Sequence, residues 1–365
     1  MSAPISSDLA SPEPAASGNS LAGNPLAGNP LETALTRALG IEVPLICGPM
    51  YPASNPELVA AVSAAGGIGV VQPLSLVYVH GYEFREGMAA IRRLTDKPVG
   101  MNVIVEKTSK TYEDRMRRFV DEALEVGVRF FITSLGNPRW VVEKAHAAGG
   151  LVYHDVTEAK WAKKGMEGGV DGLIAVNDRA GGHAGGLSPA ELLAELSSFG
   201  VPVVAAGGVG DEEAFVEALA LGYDGVQMGT RFLATTECTA HQDYKQAIVD
   251  AGEDDIVLTE RLTGVPVSVI RTPYIEKTGT RAGPIARWML KGRRTKHWMR
   301  TLYALQSAFK LKKSLKSSFS YKDYLQAGKS VAGVHRVEPA GEIVERFRDA
   351  ALEAVAEGSL TLREA

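Results

Sequence analysis

The fold is decided by the stretch Gly172-Leu-Ile-Ala-Val-Asn-Asp-Arg-Ala-Gly-Gly-His-Ala-Gly-Gly186. Its first six residues form a short, largely apolar run, which is typical of a parallel β-strand covered on both faces. The loop that follows sets His183 among four glycines, and glycine lets a backbone approach a flat or anionic ligand closely. A tight turn whose histidine only satisfies nearby backbone groups would show the same residues. The rest of the chain decides between these two interpretations.

The same pattern of a short apolar run and a turn recurs along the chain. The predicted strands are Leu45–Met50, Gly67–Gln72, Pro98–Ile104, Arg129–Ser134, Leu151–Val156, Gly172–Asn177, Pro202–Gly207 and Gly225–Thr230. Helical patterns lie between them, most clearly at Glu57–Ala65, Tyr112–Val126, Pro138–Ala148, Glu158–Gly168, Pro189–Phe199 and Glu212–Leu221. Eight such repeats predict an α/β fold, a (β/α)8 TIM barrel. An open doubly wound sheet is the alternative, because periodicity does not prove closure.

Composition divides the chain into four parts. Residues 1–30 are rich in Ala, Ser, Pro, Gly and Asn, which predicts a disordered tail. Residues 31–275 hold the predicted barrel. Residues 276–331 carry fourteen Lys and Arg against two acidic residues, so we expect a basic, mostly helical insertion or lid, which could bind phosphates or simply be a solvated helical surface. Residues 332–365 are expected to supply the helix that closes the barrel, starting near Glu338.

The overall charge and the cysteine count exclude several classes of protein. A formal net charge of −4 argues against general nucleic-acid binding. Cys47 and Cys238 lie far apart in the sequence, so we expect neither a disulfide framework nor a metal site. The sequence has no apolar run long enough to span a membrane and no pattern of a secretory signal. A cytoplasmic location is therefore the expectation.

In a barrel, the carboxyl ends of the strands meet at one mouth. Glycines follow strand seven and strand eight, where barrel enzymes often hold a phosphate beside a helix N-terminus. Apolar, amide and glycine residues around that position suit a planar cofactor with a phosphate tail, and FMN is the leading candidate. The candidate cofactor-binding residues are Met50, Asn102, Gly181, Gly182, Gly207, Gly208, Gly229 and Thr230. Core filling by Met50 and turn formation by Asn102 are the alternatives.

Other polar residues stand at the ends of the predicted strands. They are Gln72, Ser134, His154 with Asp155, and Asn177 leading into His183. His183 is the candidate catalytic residue, because an imidazole can exchange protons near neutral pH. Arg179 could attract an anionic substrate, although an exposed arginine more often forms a surface ion pair.

Six motifs carry a resemblance to a known family. They are Pro44-Leu-Ile-Cys-Gly-Pro-Met50, Ala61-Val-Ser-Ala-Ala-Gly-Gly67, Ala180-Gly-Gly-His183, Val204-Ala-Ala-Gly-Gly208, Ala218-Leu-Ala-Leu-Gly222 and Gly225-Val-Gln-Met-Gly-Thr-Arg-Phe232, with a weaker echo at Ala327–Gly333. From about residue 44 to residue 271, the chain resembles the nitronate monooxygenases, formerly called 2-nitropropane dioxygenases, among the FMN-dependent TIM barrels. The resemblance implies that His183 is catalytic and that FMN is held by Met50, Asn102, Gly182, Gly207, Gly208, Gly229 and Thr230.

The chain departs from this family pattern at two places. Asn177-Asp178-Arg179 leads into the histidine loop, where members commonly have a Glu or a Cys. Asp155 follows the histidine of the fifth strand, where quinone-reducing relatives have a lysine. Both departures concern the substrate more than the cofactor.

The resemblance implies oxidation of alkyl nitronates, such as propionate 3-nitronate, with FMN and O2 to a carbonyl compound and nitrite. His183 would then act as a base toward a neutral nitroalkane or donate a hydrogen bond to a nitronate. One alternative is an FMN-dependent NAD(P)H enoyl reductase of the fatty-acid or polyketide type, which acts on an enoyl thioester. Another is a flavin-binding or membrane-associated interaction module. The expected partners are a small-molecule substrate and O2, with a homodimer as one expected assembly.

Overall fold

The computed structural model describes residues 29–106, 110–262, 264–281 and 324–360. The predicted disordered tail lies outside the described residues except for its last two positions. Most of the predicted basic insertion also lies outside them. The described ranges contain no helix that is both long enough and apolar enough to cross a bilayer.

Eight parallel strands form a closed barrel in chain order. They are β1 (Leu45–Cys47), β2 (Ile68–Val71), β3 (Val99–Val105), β4 (Phe130–Leu135), β5 (Leu151–Val156), β6 (Gly172–Val176), β7 (Val203–Ala206) and β8 (Gly225–Met228). Closure is direct, because β1 pairs with β2 on one side and with β8 on the other. The predicted (β/α)8 barrel is therefore confirmed, and the open doubly wound sheet was wrong.

Several predicted strands extended too far toward their carboxyl ends. The first was predicted to reach Met50 but ends at Cys47, and the eighth was predicted to include Thr230, which instead begins a helix. The chain leaves the sheet at Gly48 after β1 and at Gly229 after β8. Residues beyond the strand ends lie in the turns that form the mouth of the barrel.

One helix precedes β1, and the others connect successive strands. They are α1 (Ala34–Leu39), α2 (Pro56–Ala64), α3 (Phe84–Leu94), α4 (Lys110–Glu125), α5 (Arg139–Ala147), α6 (Ala159–Glu167), α7 (Pro189–Leu196) and α8 (Glu212–Leu221). Side-chain caps fix several starts: Ser188 caps α7, and Oδ1 of Asp211 accepts a hydrogen bond from the Ala214 N–H at the start of α8. Such caps satisfy N–H groups that have no acceptor inside the helix.

The chain leaves the barrel after β8 and returns at its end. The later elements are α9 (Thr230–Leu233), α10 (Gln242–Asp250), the antiparallel pair β9 (Ile256–Thr259) and β10 (Val267–Ile270), α11 (Pro273–Thr278) and α12 (Ala340–Ala356). Helix α12 packs against α8 and α2. It thus occupies the gap in the outer layer between the last and first repeats.

The inside of the barrel is a separate apolar core. Its inward side chains are Ile46, Ile68, Val70, Phe130, Ile132, Tyr153, Ile174, Val204 and Ala206, and Leu35 of α1 packs with them. Because side chains alternate between the two faces of a strand, residues two positions further on point the same way. Asn102, Asp155 and Gln227 are therefore on the inner face near the mouth, as their register with Ile132, Ile174 and Ile46 also requires.

Gly100 offers a test of this interior packing. A Cβ atom added there would lie 2.9 Å from Cδ1 of Phe130 and 3.2 Å from Cγ2 of Val70. We expect Gly100→Ala to lower the free energy of unfolding by about 1–3 kcal/mol, because an overpacked core must shift to accept a methyl group. Chemical denaturation measures this loss. Gly186→Ala is the control, since nothing lies within 4 Å of the added atom; equal losses in both variants would contradict the packing described.

Candidate active site

The loop after β6 lies directly on the turn after β7. Gly207 and Gly208 have positive φ angles of 119° and 89°, which favour glycine. A Cβ atom on Gly207 would lie 2.3 Å from Oδ1 of Asn177 and 2.5 Å from the backbone nitrogen of Ala180. Both the backbone shape and the close contact therefore require glycine at position 207.

Asn177 links the loop after β6 to the turn after β7 by hydrogen bonds. It is fully buried, and its Nδ2 donates a hydrogen bond to the Gly207 carbonyl at 3.0 Å. Its Oδ1 accepts one from the Arg179 backbone N–H at 2.9 Å. In the sequence, Asn177 stands out only as a strand end and as a departure from the family pattern. An amide between a buried strand and a glycine loop was the available signal for a positioning role.

The glycine loop also meets the end of β8. A Cβ atom on Gly181 would lie 3.4 Å from Oγ1 of Thr230 and 3.1 Å from the backbone nitrogen of Gly328. The Gly328 N–H donates a hydrogen bond to Oγ1 of Thr230 at 3.0 Å. Gly328 was not among the predicted site residues, although it belongs to the Ala327–Gly333 motif. The structure thus brings together the loop after β6, the turn after β8 and Gly328, which are far apart in the sequence.

The end of β1 completes this side of the mouth. Met50 is half-buried, and its Sδ would lie 3.5 Å from a Cβ atom added at Gly229. Asn102 is buried on the inner face of β3 and donates a hydrogen bond to the Ile132 carbonyl at 3.2 Å. All eight predicted cofactor-binding residues therefore stand at or near the carboxyl ends of the strands.

Several backbone donors at this mouth have no protein partner. Within the described ranges, the N–H groups of Gly208, Gly229 and Thr230 donate to no protein acceptor. Such groups at the turns after the last two barrel strands suit a phosphate. Gly182 adds room, because nothing lies within 4 Å of a Cβ atom built on it. These donors and this space fit a planar cofactor with a phosphate tail.

His183 follows this open glycine. The Gly182 carbonyl accepts a hydrogen bond from the Ser268 N–H at 2.7 Å, so the loop is held by β10. His183 is exposed, while the protein atoms around it lower its pKa through desolvation. A lowered pKa keeps the imidazole neutral at pH 7, which is the form that accepts a proton.

His154 does not belong to the mouth, contrary to the interpretation from strand ends. Its side chain lies on the outer face of β5, where a Cβ atom on Gly165 of α6 would come within 3.1 Å of its Cδ2. Its Nδ1 and Oγ1 of Thr133 are 2.8 Å apart. Burial lowers its pKa to about 4, so the ring is neutral and structural. The alternation of side chains along β5 explains why Asp155 alone faces inward.

Arg179 forms an ion pair and does not point freely at a substrate. Its guanidinium donates two hydrogen bonds to Glu253, at 3.1 and 2.7 Å. Nζ of Lys329 lies 3.3 Å from the same carboxylate. Burial raises the pKa of Glu253, but these two cations outweigh burial and hold the pKa below its usual range. The pairing favours the ion-pair alternative for Arg179 and links the mouth to Lys329, near the end of the predicted insertion.

The described ranges bring no three His, Cys, Asp or Glu side chains together as ligands for a metal ion. The two cysteines are buried free thiols.

Sequence comparisons point to one family. A family model described as nitronate monooxygenase matches residues 32–349. A protein of Mycobacterium tuberculosis named (3aS,4S,5R,7aS)-5-hydroxy-7a-methyl-1-oxo-octahydro-1H-indene-4-carboxyl-CoA dehydrogenase is 33% identical over 258 residues, covering 69% of this chain and 70% of its own. A probable nitronate monooxygenase of Staphylococcus saprophyticus is 30% identical over 289 residues, covering 68% and 81%.

Solved structures agree with this result. FabK from Thermotoga maritima is similar with a TM-score of 0.73 and 29% identity, covering 90% of this chain and 98% of its own. The nitroalkane oxidase from Streptomyces ansochromogenes has a TM-score of 0.69 and 25% identity, covering 89% and 100%.

Proposed function

This chain belongs to the nitronate monooxygenase family and is an oxidoreductase, and we propose that it oxidises alkyl nitronates, such as propionate 3-nitronate, with bound FMN and O2. The products are a carbonyl compound and nitrite. The observation that carries the proposal is the meeting of the glycine turns after β6, β7 and β8 beside His183. Family membership as an enzyme sets aside the interaction-module alternative.

The residues of the mouth would hold FMN in a simple division of roles. The N–H groups of Gly208, Gly229 and Thr230 would bind its phosphate. Gly181, Gly182 and Met50 would contact its flat ring system, and the Asn102 amide supplies a polar group on the inner face. When bound, FMN supplies the electron-transfer chemistry. The protein supplies binding, orientation and control of protons.

His183 would act on the substrate. As a neutral imidazole it accepts the proton that a nitroalkane loses from its α-carbon, which yields the nitronate. Toward a substrate that is already a nitronate, the ring N–H donates a hydrogen bond to the anionic nitro group.

The space at Gly182 can be tested with a matched pair of variants. Gly182 and Gly200 share a φ of 68°, and neither has an atom within 4 Å of an added Cβ. Replacing either glycine with alanine should therefore lower the free energy of unfolding by a similar amount, about 1–2 kcal/mol. Only Gly182→Ala is expected to weaken FMN binding, by about tenfold, or about 1.4 kcal/mol. Fluorescence titration of the apoprotein measures this; equal FMN affinity in the two variants would remove Gly182 from the site.

The proposed reaction is tested on the purified protein. We expect a flavin visible spectrum, bleaching of the flavin by propionate 3-nitronate without oxygen, and oxygen uptake with release of nitrite in air. A protein that binds FMN but consumes no oxygen with any nitronate would contradict the reaction.

A second candidate is an FMN-dependent NAD(P)H enoyl reductase acting on a thioester. The favouring observation is that two relatives, from Mycobacterium tuberculosis and Rhodococcus jostii, are named as dehydrogenases of a carboxyl-CoA compound. Anaerobic mixing separates the two functions. Rapid bleaching by NADH supports the reductase, whereas bleaching only by nitronate supports nitronate oxidation.

A further inference from the structure

Asp155 and Gln227 face the barrel interior from strands β5 and β8. Asp155 comes two residues after Tyr153, which belongs to the inner core, and it pairs in register with Ile174. Gln227 pairs in register with Ile46. A Cβ atom on Gly48 would lie 2.9 Å from Cγ of Gln227, so the absence of a side chain at Gly48 makes room for this amide. Both polar side chains thus line the inner wall of the mouth.

The two side chains form an incompletely satisfied pair. The Gln227 amide acts on the Asp155 carboxyl group, whose pKa it lowers. Among the described residues, Oδ1 of Asp155 and Oε1 of Gln227 are nevertheless buried without a hydrogen-bond partner. An unpaired buried acceptor is unfavourable, because it has lost its hydrogen bonds to water without gaining others. A proton on Asp155 changes this, because a carboxylic O–H can donate to the amide oxygen once the amide is turned over.

Within the part of the chain that the structure describes, few titratable or charged groups face this pair. On β4 the neighbouring inward residue is Ser134, and on β6 it is Ile174; neither is charged. His183, on the loop after β6, has a lowered pKa and is neutral at pH 7. Arg179 is paired with Glu253. The pKa of Asp155 is accordingly raised by burial to about 7, with the Gln227 side chain opposing the rise.

We propose that Asp155 and Gln227 form a proton-holding pair in the wall of the cofactor pocket, and that the charge of Asp155 controls how easily the bound flavin is reduced. This inference rests on the proposed function. Two electrons that enter the flavin from a nitronate make the pocket more negative. An ionised Asp155 repels this added charge and makes reduction harder, whereas a protonated Asp155 does not. Asp155, where ionised, therefore takes up one proton from solution, in addition to the protons that the flavin itself takes up.

The test is the reduction potential of the holoenzyme as a function of pH. In the wild type, we expect the potential to fall more steeply with pH in the range in which Asp155 ionises in the oxidised enzyme, that is, from about pH 7 upward. Asp155→Asn removes this extra slope. Well above pH 7, the variant should hold about tenfold more reduced flavin at a fixed potential, which is about 30 mV for a two-electron couple. Asp178→Asn is the charge-matched control, because Asp178 is exposed on the loop after β6.

The outcomes are distinguishable. Failure of the wild type to bind FMN would overturn the proposed function itself. FMN binding with the same potential and pH slope in wild type and Asp155→Asn would overturn only the proton-holding pair. If Asp155→Asn does not fold, proton uptake on electrochemical reduction of the wild type decides, measured with a pH indicator in weak buffer. The pair requires an additional proton above pH 7, and its absence would refute the proposal.

Discussion

Replacing His183 with Asn is expected to slow the turnover of neutral nitroalkanes at least about a hundredfold, or about 2.7 kcal/mol in transition-state stabilisation, while FMN stays bound. Asparagine keeps a polar side chain at the mouth but cannot accept the α-carbon proton. The loop itself should be unchanged, because it is held by the hydrogen bond from the Ser268 N–H to the Gly182 carbonyl and by those of the Asn177 side chain. Steady-state oxygen uptake measures the effect, with the flavin spectrum as a check on occupancy.

The choice of substrate supplies the control for this variant. A preformed nitronate has already lost its α-carbon proton. His183→Asn should therefore slow the turnover of a nitronate much less than the turnover of a neutral nitroalkane. In the wild type, the rate with a neutral nitroalkane should fall only when the pH drops below the lowered pKa of His183. If the His183→Asn variant turned over the neutral nitroalkane at the wild-type rate, His183 would not have the role assigned to it.

Glu338→Gln is expected to lower the free energy of unfolding by about 3–5 kcal/mol, because it leaves a buried arginine without its counter-charge. The side chains of Arg231 and Glu338 are 2% and 5% exposed, and Nη2 of Arg231 lies 3.4 Å from Oε1 of Glu338. Arg346 donates two hydrogen bonds to the same carboxylate, at 2.6 and 2.9 Å, and Arg336 donates a third at 2.9 Å. This cluster ties α9 to the start of α12. Denaturant unfolding at pH 7 measures the loss.

The pH dependence follows from the same cluster. Burial raises the pKa of Glu338, but the arginines outweigh it and hold the pKa below its usual range. The resulting stability is complete above the pKa of an unfolded glutamate, about 4.3, and is lost as the pH falls through the lower folded value. Glu345→Gln on the exposed face of α12 is the control and should cost less than about 0.5 kcal/mol. Equal effects of the two substitutions would show that the buried carboxylate stabilises nothing.

The barrel could be predicted because its strands are short apolar runs, each followed by a turn. The direction of individual side chains was harder to predict. His154 and Asp155 are neighbours, and only the period of two along β5 decides which one faces the mouth. The part of the site formed by Gly328 could not be predicted from local patterns. Nearly a hundred residues separate it from Thr230, and only the folded chain brings their hydrogen bond together.

The β9–β10 pair is bound to two further segments of the chain. The Thr280 carbonyl accepts hydrogen bonds from the Glu260 N–H and from Oγ1 of Thr259. The Ile270 N–H donates to the Leu325 carbonyl at 2.8 Å. Strand β10 also holds the glycine loop, because its Ser268 N–H donates to the Gly182 carbonyl. The small sheet is therefore a common support for the histidine loop and for two segments far from it in sequence, so a change that loosens the sheet is felt at all three.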